Sequence, residues 1–388
     1  MQSELGISTE LWGWVLSAFI FAYGAFEVPM GAWGDRYGHR GVLSRIVAWW
    51  SVFACMTGFV SSFPALVAVR FLFGAGEAGA YPNIAGVIGR WFPISQRARM
   101  QGLVWAAGRL GSGITPLIVV PIMQRFGWRA AFWIIGSLGF FWVAAWWTWY
   151  RNSPAEDPDA SDAERAEVAP PAQSGHSIPW RLLATSKQLW LITLMYSFYV
   201  WGTYFYFSWL PVYLLKGRGF TETEMGQFGA LPFFMGACGN LCGGALSDAL
   251  VRRCGLRNGR RFVGSASLAI TAIVFLAVAN THDKWSVIAL LSFGLFILDF
   301  LVPTAWATCL DVGGENAGAV SGVMSTAGQF GGMACTLVFG YVASRTGDYD
   351  APLYVISFMV ALSAALYWFV DASRTIDNRS GILTASRS

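Results

Sequence analysis

Residues 70–93 read RFLFGAGEAGAYPNIAGVIGRWFP, an apolar stretch that carries one basic and one acidic residue in its first third. The stretch is long enough to cross a bilayer, because a spanning helix needs about 20 mostly apolar residues. Arg70 and Glu77 lie seven residues apart, so a helix places them on one face, about 10 Å apart along its axis. Ionisable side chains at membrane depth usually face a bundle interior or a wet cavity. The stretch therefore predicts a membrane protein with a polar path through it.

The same stretch contains a GxGxxG pattern, formed by Gly74, Gly76 and Gly79. A dinucleotide-binding fingerprint requires a strand before the glycines and a helix that opens at them. Here the glycines lie inside a predicted spanning segment, so the sequence argues against a Rossmann fold. Small residues at such positions instead let neighbouring helices or a ligand approach closely.

The composition agrees with a membrane protein. The chain has 388 residues, 55% of them hydrophobic and 12% charged, whereas soluble domains are roughly 25% charged. The net charge of +4 is better explained by membrane topology than by a nucleic-acid partner. The three His lie outside the predicted spans and the six Cys show no zinc spacing. We therefore expect no metal site, no cofactor and no catalytic residue, and do not expect an enzyme.

Hydrophobic runs predict eleven spanning helices in two groups. The fold class is thus predicted to be all-α integral membrane, with two bundles of five and six helices around a central cavity. The predicted spans are 11–33, 42–62, 65–90, 100–123 and 128–150, and then 189–215, 226–247, 262–280, 285–309, 316–343 and 351–371. Between the groups lies a polar stretch rich in Pro, Ala, Asp and Glu, which is typical of a disordered linker. The predicted divisions are an N-terminal bundle 1–150, a linker 151–188, a C-terminal bundle 189–371 and a tail 372–388.

Basic residues in the loops predict the orientation. Eighteen of the 26 Lys and Arg fall in one set of loops, which includes the linker and the tail, and six fall in the other set. Cytoplasmic loops carry the excess of Lys and Arg. The linker and the C-terminus are therefore predicted to be cytoplasmic, and the start of the chain to lie outside.

The two halves of the sequence repeat each other. GAWGDRYGHRGVL at 31–43 is similar to GGALSDALVRRCGLRNGRRF at 243–262, and GLVWAAGRLGSG at 102–113 is similar to GVMSTAGQFGGM at 322–333. Many transporters are built from such repeats, with a substrate site near the midplane of the membrane. On this alignment the N-terminal half lacks a counterpart of the first helix of the C-terminal half.

The second repeat match aligns Arg109 with Gln329. We expect Arg109 to bind a substrate carboxylate through its planar fork and Gln329 to bind a hydroxyl or carbonyl group. The alternative is that both are packing residues on glycine-rich helices. Arg109 and Glu77 lie at similar predicted depths. This suggests a switch in which the substrate carboxylate binds the arginine in place of Glu77, and Glu77 then binds a proton. A static buried ion pair is the alternative.

Other polar residues in the predicted spans are weaker candidates. Tyr204 belongs to a group with Tyr199 and Tyr206, at least one of which should reach the cavity, and Asn240 is a neutral polar group at similar depth. Asp299 could couple to protons, or could simply bond to a neighbouring hydroxyl. A cytoplasmic gate is predicted from the acidic residues at the ends of two repeated helices and the basic loop residues near the first, namely Asp35, Arg36, Arg40 and Asp248.

These motifs resemble those of a known transporter family. GDRYGHR at 34–40 resembles the loop motif between helices 2 and 3 of the major facilitator superfamily. RFLFGAGEAGAYPN, GRWFP, QRAR, FSWLPVYL and GVMSTAGQFGG resemble the anion:cation symporter family within it. The resemblance implies import of organic acids, usually with protons, by a protein of the bacterial inner membrane. It also implies that Tyr23 and Arg70 belong to the binding or coupling site and that Glu77 carries the proton.

Two departures from the family pattern leave alternatives open. The first helix of the family, which commonly supplies a substrate-binding arginine, has no counterpart here, and Arg109 is an additional cation. A truncated inactive paralogue, or an organic-anion transporter that uses sodium or exchange, therefore remains an alternative. An integral-membrane enzyme is disfavoured because no His lies in a span. The expected partners are a small organic acid and the lipid bilayer, with a monomeric protein.

Overall fold

A computed structural model describes residues 4, 7, 9–162, 165 and 180–376 of the chain. Most of these residues are helical, and none of them lies in a strand. The predicted all-α fold class is confirmed, while the number of membrane crossings stays a prediction. Part of the predicted linker, 163–164 and 166–179, and most of the predicted tail, 377–388, lie outside the described residues.

The helices of the first half follow the predicted spans, except within the stretch 70–93. They are α1 (Thr9–Tyr37), α2 (His39–Thr57), α3 (Phe63–Glu77), α4 (Ala80–Trp91) and α5 (Arg97–Trp149). The backbone of α5 breaks at Gly127, where φ is 82°. This break lies between the predicted spans 100–123 and 128–150, so the sequence located it.

The predicted span 65–90 is two helices. The chain leaves the helical conformation at Ala78, where ψ is 140°, and at Gly79, where φ is +81°. A side chain on Gly79 would be strained at this φ, and its Cβ would lie 2.4 Å from Cβ of Met30. The glycines of the GxGxxG pattern thus serve helix packing, and Glu77 is the last residue before the break.

The second half contains the remaining helices. They are α6 (Trp180–Thr185), α7 (Lys187–Tyr204), α8 (Leu210–Val212), α9 (Glu222–Phe228), α10 (Leu231–Ala279), α11 (Lys284–Leu298), α12 (Leu301–Gly313), α13 (Ala317–Thr346) and α14 (Ala351–Trp368). Wide π-helical turns at Phe205–Trp209 and Tyr213–Gly217 flank α8. Helix α10 breaks at Gly255, where φ is 80°. The predicted span 285–309 is also broken, because α11 ends before Asp299 and α12 begins at Leu301.

Long apolar helical runs indicate a multi-pass membrane protein. In the described part of the chain, five such runs are long and apolar enough to cross a membrane, and two of them have 56 and 63 residues. One crossing needs about 20 residues. Each of these two runs is therefore long enough for more than one crossing, and the first of them is divided by the break at Gly255.

Contacts within the chain form two compact units. Unit 1 contains Met1–Trp91, Ile114–Ile178 and Glu315–Thr326, and unit 2 contains Phe92–Gly113, Pro179–Gly314 and Ala327–Ser388. Helices α5 and α13 are therefore each divided between the units. The predicted bundle boundaries, 1–150 and 189–371, refer to the repeat in the sequence and stay a prediction.

Candidate functional site

Arg109 and Asp299 form a buried ion pair in unit 2. Arg109 donates from Nε to Oδ2 of Asp299 at 3.1 Å and from Nη2 to Oδ1 at 3.0 Å. The side chain of Arg109 is 11% exposed and that of Asp299 is 0% exposed. A second donor, Nδ2 of Asn240, reaches Oδ2 at 3.0 Å. This two-bond geometry is the one that guanidinium groups use to bind carboxylates.

Four segments position this pair. Arg109 lies on α5, Asn240 lies on α10, and Asp299 lies at the break between α11 and α12. Gly236, one turn before Asn240, leaves the space for the carboxylate, because a Cβ there would lie 2.6 Å from Oδ2. The ring of Phe207, in a π-helical turn, lies 4.9 Å from the guanidinium carbon.

Two predicted substrate-binding residues are in direct contact. The hydroxyl of Tyr204 donates to Oε1 of Gln329 at 2.7 Å. Gly332, on the same helix as Gln329, allows this approach, since a Cβ there would lie 2.3 Å from the tyrosine ring. The structure also separates Tyr204 from its two sequence neighbours. The hydroxyl of Tyr206 donates to the carbonyl of Leu291, and Tyr199 is buried.

An aromatic group near Arg109 was not singled out by the sequence. Nε1 of Trp306 donates to the hydroxyl of Tyr196 at 3.3 Å, and the rings of Trp306 and Trp105 are 5.4 Å apart. Both Tyr196 and Tyr199 interact electrostatically with Arg109. The chain has 20 Trp and 13 Tyr, so composition alone could not distinguish these residues. For Tyr196, the available signal was its spacing from Tyr199 and Tyr204 along α7.

The remaining predicted coupling residues lie in unit 1. Arg70 and Glu77, both on α3, interact electrostatically. The guanidinium of Arg70 lies 5.9 Å from the ring of Phe73 and 5.6 Å from that of Phe132. Tyr23, on α1, has its ring 6.0 Å from that of Phe19. The structure therefore gives Glu77 a cationic neighbour on its own helix, while the partner of Arg109 is Asp299.

Glu77 and Asp299 occupy similar places in the repeat. Their predicted spans, 65–90 and 285–309, are equivalent if the N-terminal half has one helix fewer. Each carboxylate lies where its span breaks. Discontinuous helices form the substrate and ion sites of many transporters. The sequence named both residues, but only the structure shows that each is at a break.

The two predicted gate aspartates bind the N-termini of helices. Asp35 accepts hydrogen bonds from the amides of Gly318 at 3.0 Å and Ala319 at 2.9 Å, in the first turn of α13. Asp248 accepts hydrogen bonds from the amides of Ala98 at 3.2 Å and Arg99 at 2.7 Å, in the first turn of α5. A carboxylate is favourable there because the N-terminal amides lack partners within the helix.

Asp248 also belongs to a network of buried charges that includes Arg260 and Asp311. Arg260 donates to Asp248 at 2.7 Å and to Asp311 at 3.1 Å, and Arg97 donates to Asp311 at 3.0 Å. Neither Arg260 nor Asp311 was selected from the sequence, because spacing does not show which charged residues are buried.

The other two predicted gate residues bind elsewhere. Arg36 lies over the ring of Tyr37 at 5.2 Å, and Arg40 donates to the carbonyl of Trp147. Within the described part of the chain, neither arginine forms a hydrogen bond or an ion pair with Asp35.

Comparison with known proteins identifies the family. The profile of the Major Facilitator Superfamily matches residues 1–336. The probable sulfoacetate transporter SauU of Cupriavidus necator is 33% identical over 97% of this chain and 89% of its own length. The probable L-galactonate transporter of Escherichia coli K12 is 29% identical over 95% of this chain and 83% of its own length.

A solved structure shows the same fold. The crystal structure of the fucose:proton symporter FucP of E. coli has a TM-score of 0.73 and 14% sequence identity, and the match covers 94% of this chain and 91% of the other. This likeness agrees with the all-α architecture. The chain therefore belongs to the Major Facilitator Superfamily, whose members are membrane transporters and not enzymes.

Proposed function

We propose that the protein is a secondary active transporter that imports an organic carboxylate anion together with a proton, by alternating access. The relatives named above are described as transporters of acids, and FucP as a proton symporter. The substrate class is a sugar acid, a dicarboxylate or an aromatic acid, as in the anion:cation symporter family. No cofactor takes part other than the proton.

One observation carries this proposal, the pair formed by Arg109 and Asp299. The guanidinium is the cation that a substrate carboxylate needs, and it is already bound to a carboxylate in the same two-bond geometry. A substrate carboxylate therefore competes with Asp299 for the same donors. Binding of the substrate releases Asp299 from Arg109.

Charge balance then links the anion to a proton. With the substrate absent, Arg109 and Asp299 together are neutral. A monovalent substrate would add one negative charge to a buried site, which is unfavourable in a low dielectric. A proton that binds to an oxygen of Asp299 restores neutrality, so one carboxylate and one proton cross together. Asn240 suits either form of Asp299, because its Nδ2 already donates to Oδ2 and an amide oxygen is able to accept from a protonated carboxyl group.

The other predicted residues have supporting roles. Gln329, held by Tyr204, reads hydroxyl or carbonyl groups at the far end of the substrate. Glu77, with Arg70, provides a second proton-coupling carboxylate in unit 1, and Tyr23 lies in the same unit. Asp35 and Asp248 stabilise one conformation by binding helix N-termini on the predicted cytoplasmic side, with Arg36 and Arg40 nearby in the sequence. The protein would act as a monomer in the inner membrane of a bacterium.

Transport in proteoliposomes tests the proposal. The purified protein would be offered labelled sugar acids, including L-galactonate, together with dicarboxylates, aromatic acids and sulfoacetate. We expect accumulation of at least one acid, driven by an inward proton gradient and unaffected by sodium. The Asp299→Asn variant should lose the accumulation but retain exchange of labelled for unlabelled acid, because a neutral amide mimics the protonated carboxyl group.

Three results would replace the proposal with an alternative. Accumulation that requires a sodium gradient would indicate sodium coupling. Uptake that occurs only against internal acid would indicate an exchanger. Absence of binding and uptake for every acid in the panel would indicate an inactive paralogue.

A further inference from the structure

Glu27 is a buried carboxyl group that the proposed mechanism has not used. It lies on α1 and is 0% exposed. Neither of its carboxyl oxygens makes a hydrogen bond of ordinary geometry to any of the described residues. The one polar side chain that acts on it electrostatically is the hydroxyl of Ser325, on α13 in the same unit. An ionised carboxylate without a cation or a set of donors is very unfavourable in such a site, so Glu27 is held in its neutral, protonated form.

The carboxyl group lies in the middle of a close helix contact inside unit 1. At one end of this contact, the hydroxyl of Thr326 donates to the carbonyl of Gly24 at 3.3 Å. At the other end, a Cβ on Gly31 would lie 2.3 Å from the carbonyl oxygen of Gly318.

Between these two ends, the two backbones are also close. A Cβ on Gly322 would lie 3.1 Å from Cα of Val28 and 3.3 Å from the carbonyl oxygen of Glu27. Helix α1 and the first part of α13 therefore run antiparallel, with their backbones in close contact. We name this contact the α1–α13 seam, formed by residues 24–35 and 318–326.

The repeat supplies an equivalent contact inside unit 2, between α10 and the first part of α5. Asp248 binds the first turn of α5 as Asp35 binds the first turn of α13. A Cβ on Gly102 would lie 2.4 Å from the carbonyl oxygen of Asn240. Asn240 precedes Asp248 by the same number of residues as Glu27 precedes Asp35.

The position that holds Glu27 in one contact thus holds an uncharged amide in the other. An amide has the same hydrogen-bonding groups as a protonated carboxyl group and no charge. This equivalence indicates that the close helix contact requires a neutral polar group at this position.

We infer that Glu27 is a proton-binding site whose protonation closes the α1–α13 seam and whose ionisation opens it. The inference rests on the proposed function, since alternating access requires helix contacts that form and break. In this role Glu27 takes no part in substrate binding, and among the described residues it pairs with no arginine. The proton is taken up at a carboxyl oxygen of Glu27 as the seam closes and leaves to water as the seam opens.

The effect of other charged groups near the seam must be distinguished from that of Glu27. Asp35 is the other titratable group of the seam, and Arg90 of α4 donates to the carbonyl of Asp35 at 3.4 Å. The other charged groups on helices that pack against α1, or at the start of α13, are His39, Arg40 and Arg45 of α2, Arg70 and Glu77 of α3, and Glu315. None of them acts electrostatically on Glu27. The competing source of pH dependence is therefore Asp35.

Cross-linking across the seam measures its closure directly. Gly24→Cys and Thr326→Cys would be introduced after the six native cysteines are replaced, and the two thiols would be joined by a short bis-maleimide in the purified full-length protein. A side chain at Gly24 meets nothing within 4 Å, so this change is tolerated. The cross-linking yield would be compared between protein with Glu27 and the Glu27→Gln variant at each pH. This ratio cancels the pH dependence of the reagent.

We expect the ratio to fall as the pH rises, by up to about tenfold per pH unit once the proton is lost, since one proton is linked to closure. Glu27→Asp should retain the fall, because it keeps a titratable carboxyl group. Glu315→Gln, at an exposed carboxylate just before α13, should behave like the parent protein. A ratio that is constant with pH would overturn the inference. So would a cross-linking yield that falls with pH in the Glu27→Gln variant as it does in the parent protein, but no longer falls in Asp35→Asn.

The assay contains no organic acid, so its outcome is independent of the substrate. If the seam responds to Glu27 but no acid is transported, the proposed substrate class is wrong and the proton site stands. If an acid is accumulated with protons but the seam does not respond, the proposed function stands and the role of Glu27 is wrong.

Discussion

Replacement of Arg109 by lysine separates the geometry of the proposed carboxylate clamp from its charge. Arg109 makes two charge-assisted bonds to one carboxylate, at 3.0 and 3.1 Å. Lysine keeps the positive charge but is a point donor without the planar fork. A substrate carboxylate that takes the place of Asp299 would lose one of its two bonds.

The expected loss follows from the energy of that bond. A hydrogen bond to a charged group is worth roughly 1.5–3 kcal/mol, which corresponds to about ten- to a hundredfold in affinity. Affinity would be measured by competition against a labelled acid in proteoliposomes. Arg125→Lys, an exposed arginine outside the predicted spans, is the matched control and should bind like the parent protein.

The assignment can fail in a defined way. If Arg109→Lys binds normally while Arg70→Lys is weakened about tenfold or more, the clamp is Arg70 and the pair in unit 2 is structural. If both variants bind normally, neither arginine contacts the substrate carboxylate.

Four further predictions follow from single residues. Glu77→Gln should abolish proton-driven accumulation but spare exchange, as measured by uptake with and without a proton gradient. Gln329→Ala should change the ranking of hydroxylated acids in competition binding while simple carboxylates are less affected. Gly79→Ala should lower the midpoint of thermal unfolding in detergent, because its positive φ costs roughly 1–2 kcal/mol before any clash is added, whereas Gly41→Ala, which meets nothing within 4 Å, should not. Asp248→Ala should destabilise the protein by roughly 3–5 kcal/mol, since it leaves a buried arginine without one of its partners, as measured by the same unfolding assay.

Much of the fold could be predicted from the sequence, because spanning helices are set by local composition. A run of about 20 apolar residues has few alternatives to a helix in a bilayer, where every backbone group must be satisfied within the segment. The break in α5, which falls in the gap between two predicted spans, and the loop motif at the end of α1 were likewise visible in the sequence. The repeat also predicted a common role for Asp35 and Asp248, and both bind the first turn of a helix.

Pairing between distant residues could not be predicted in the same way. The sequence named Arg109, Asp299 and Asn240 separately and coupled Arg109 to Glu77 by depth alone. Depth fixes the distance of a residue from the membrane surface, but not the direction in which its side chain points. In a spanning helix that direction depends on rotation about the axis, and small shifts at a break change it. The sequence did not predict the breaks next to Glu77 and Asp299, so it could not give the direction of these two side chains.

The sequence by itself thus determined that the chain is a repeated, multi-pass helical protein with acidic and basic groups at membrane depth. Only the tertiary structure decided which of these groups are paired. It placed Asp299 on the fork of Arg109, buried Arg260 between Asp248 and Asp311, and left Glu27 in a close helix contact without a cation. The physical reason is that the cost of burying a charge depends on its neighbours in space. Those neighbours come from segments far apart in the chain, which no local pattern specifies.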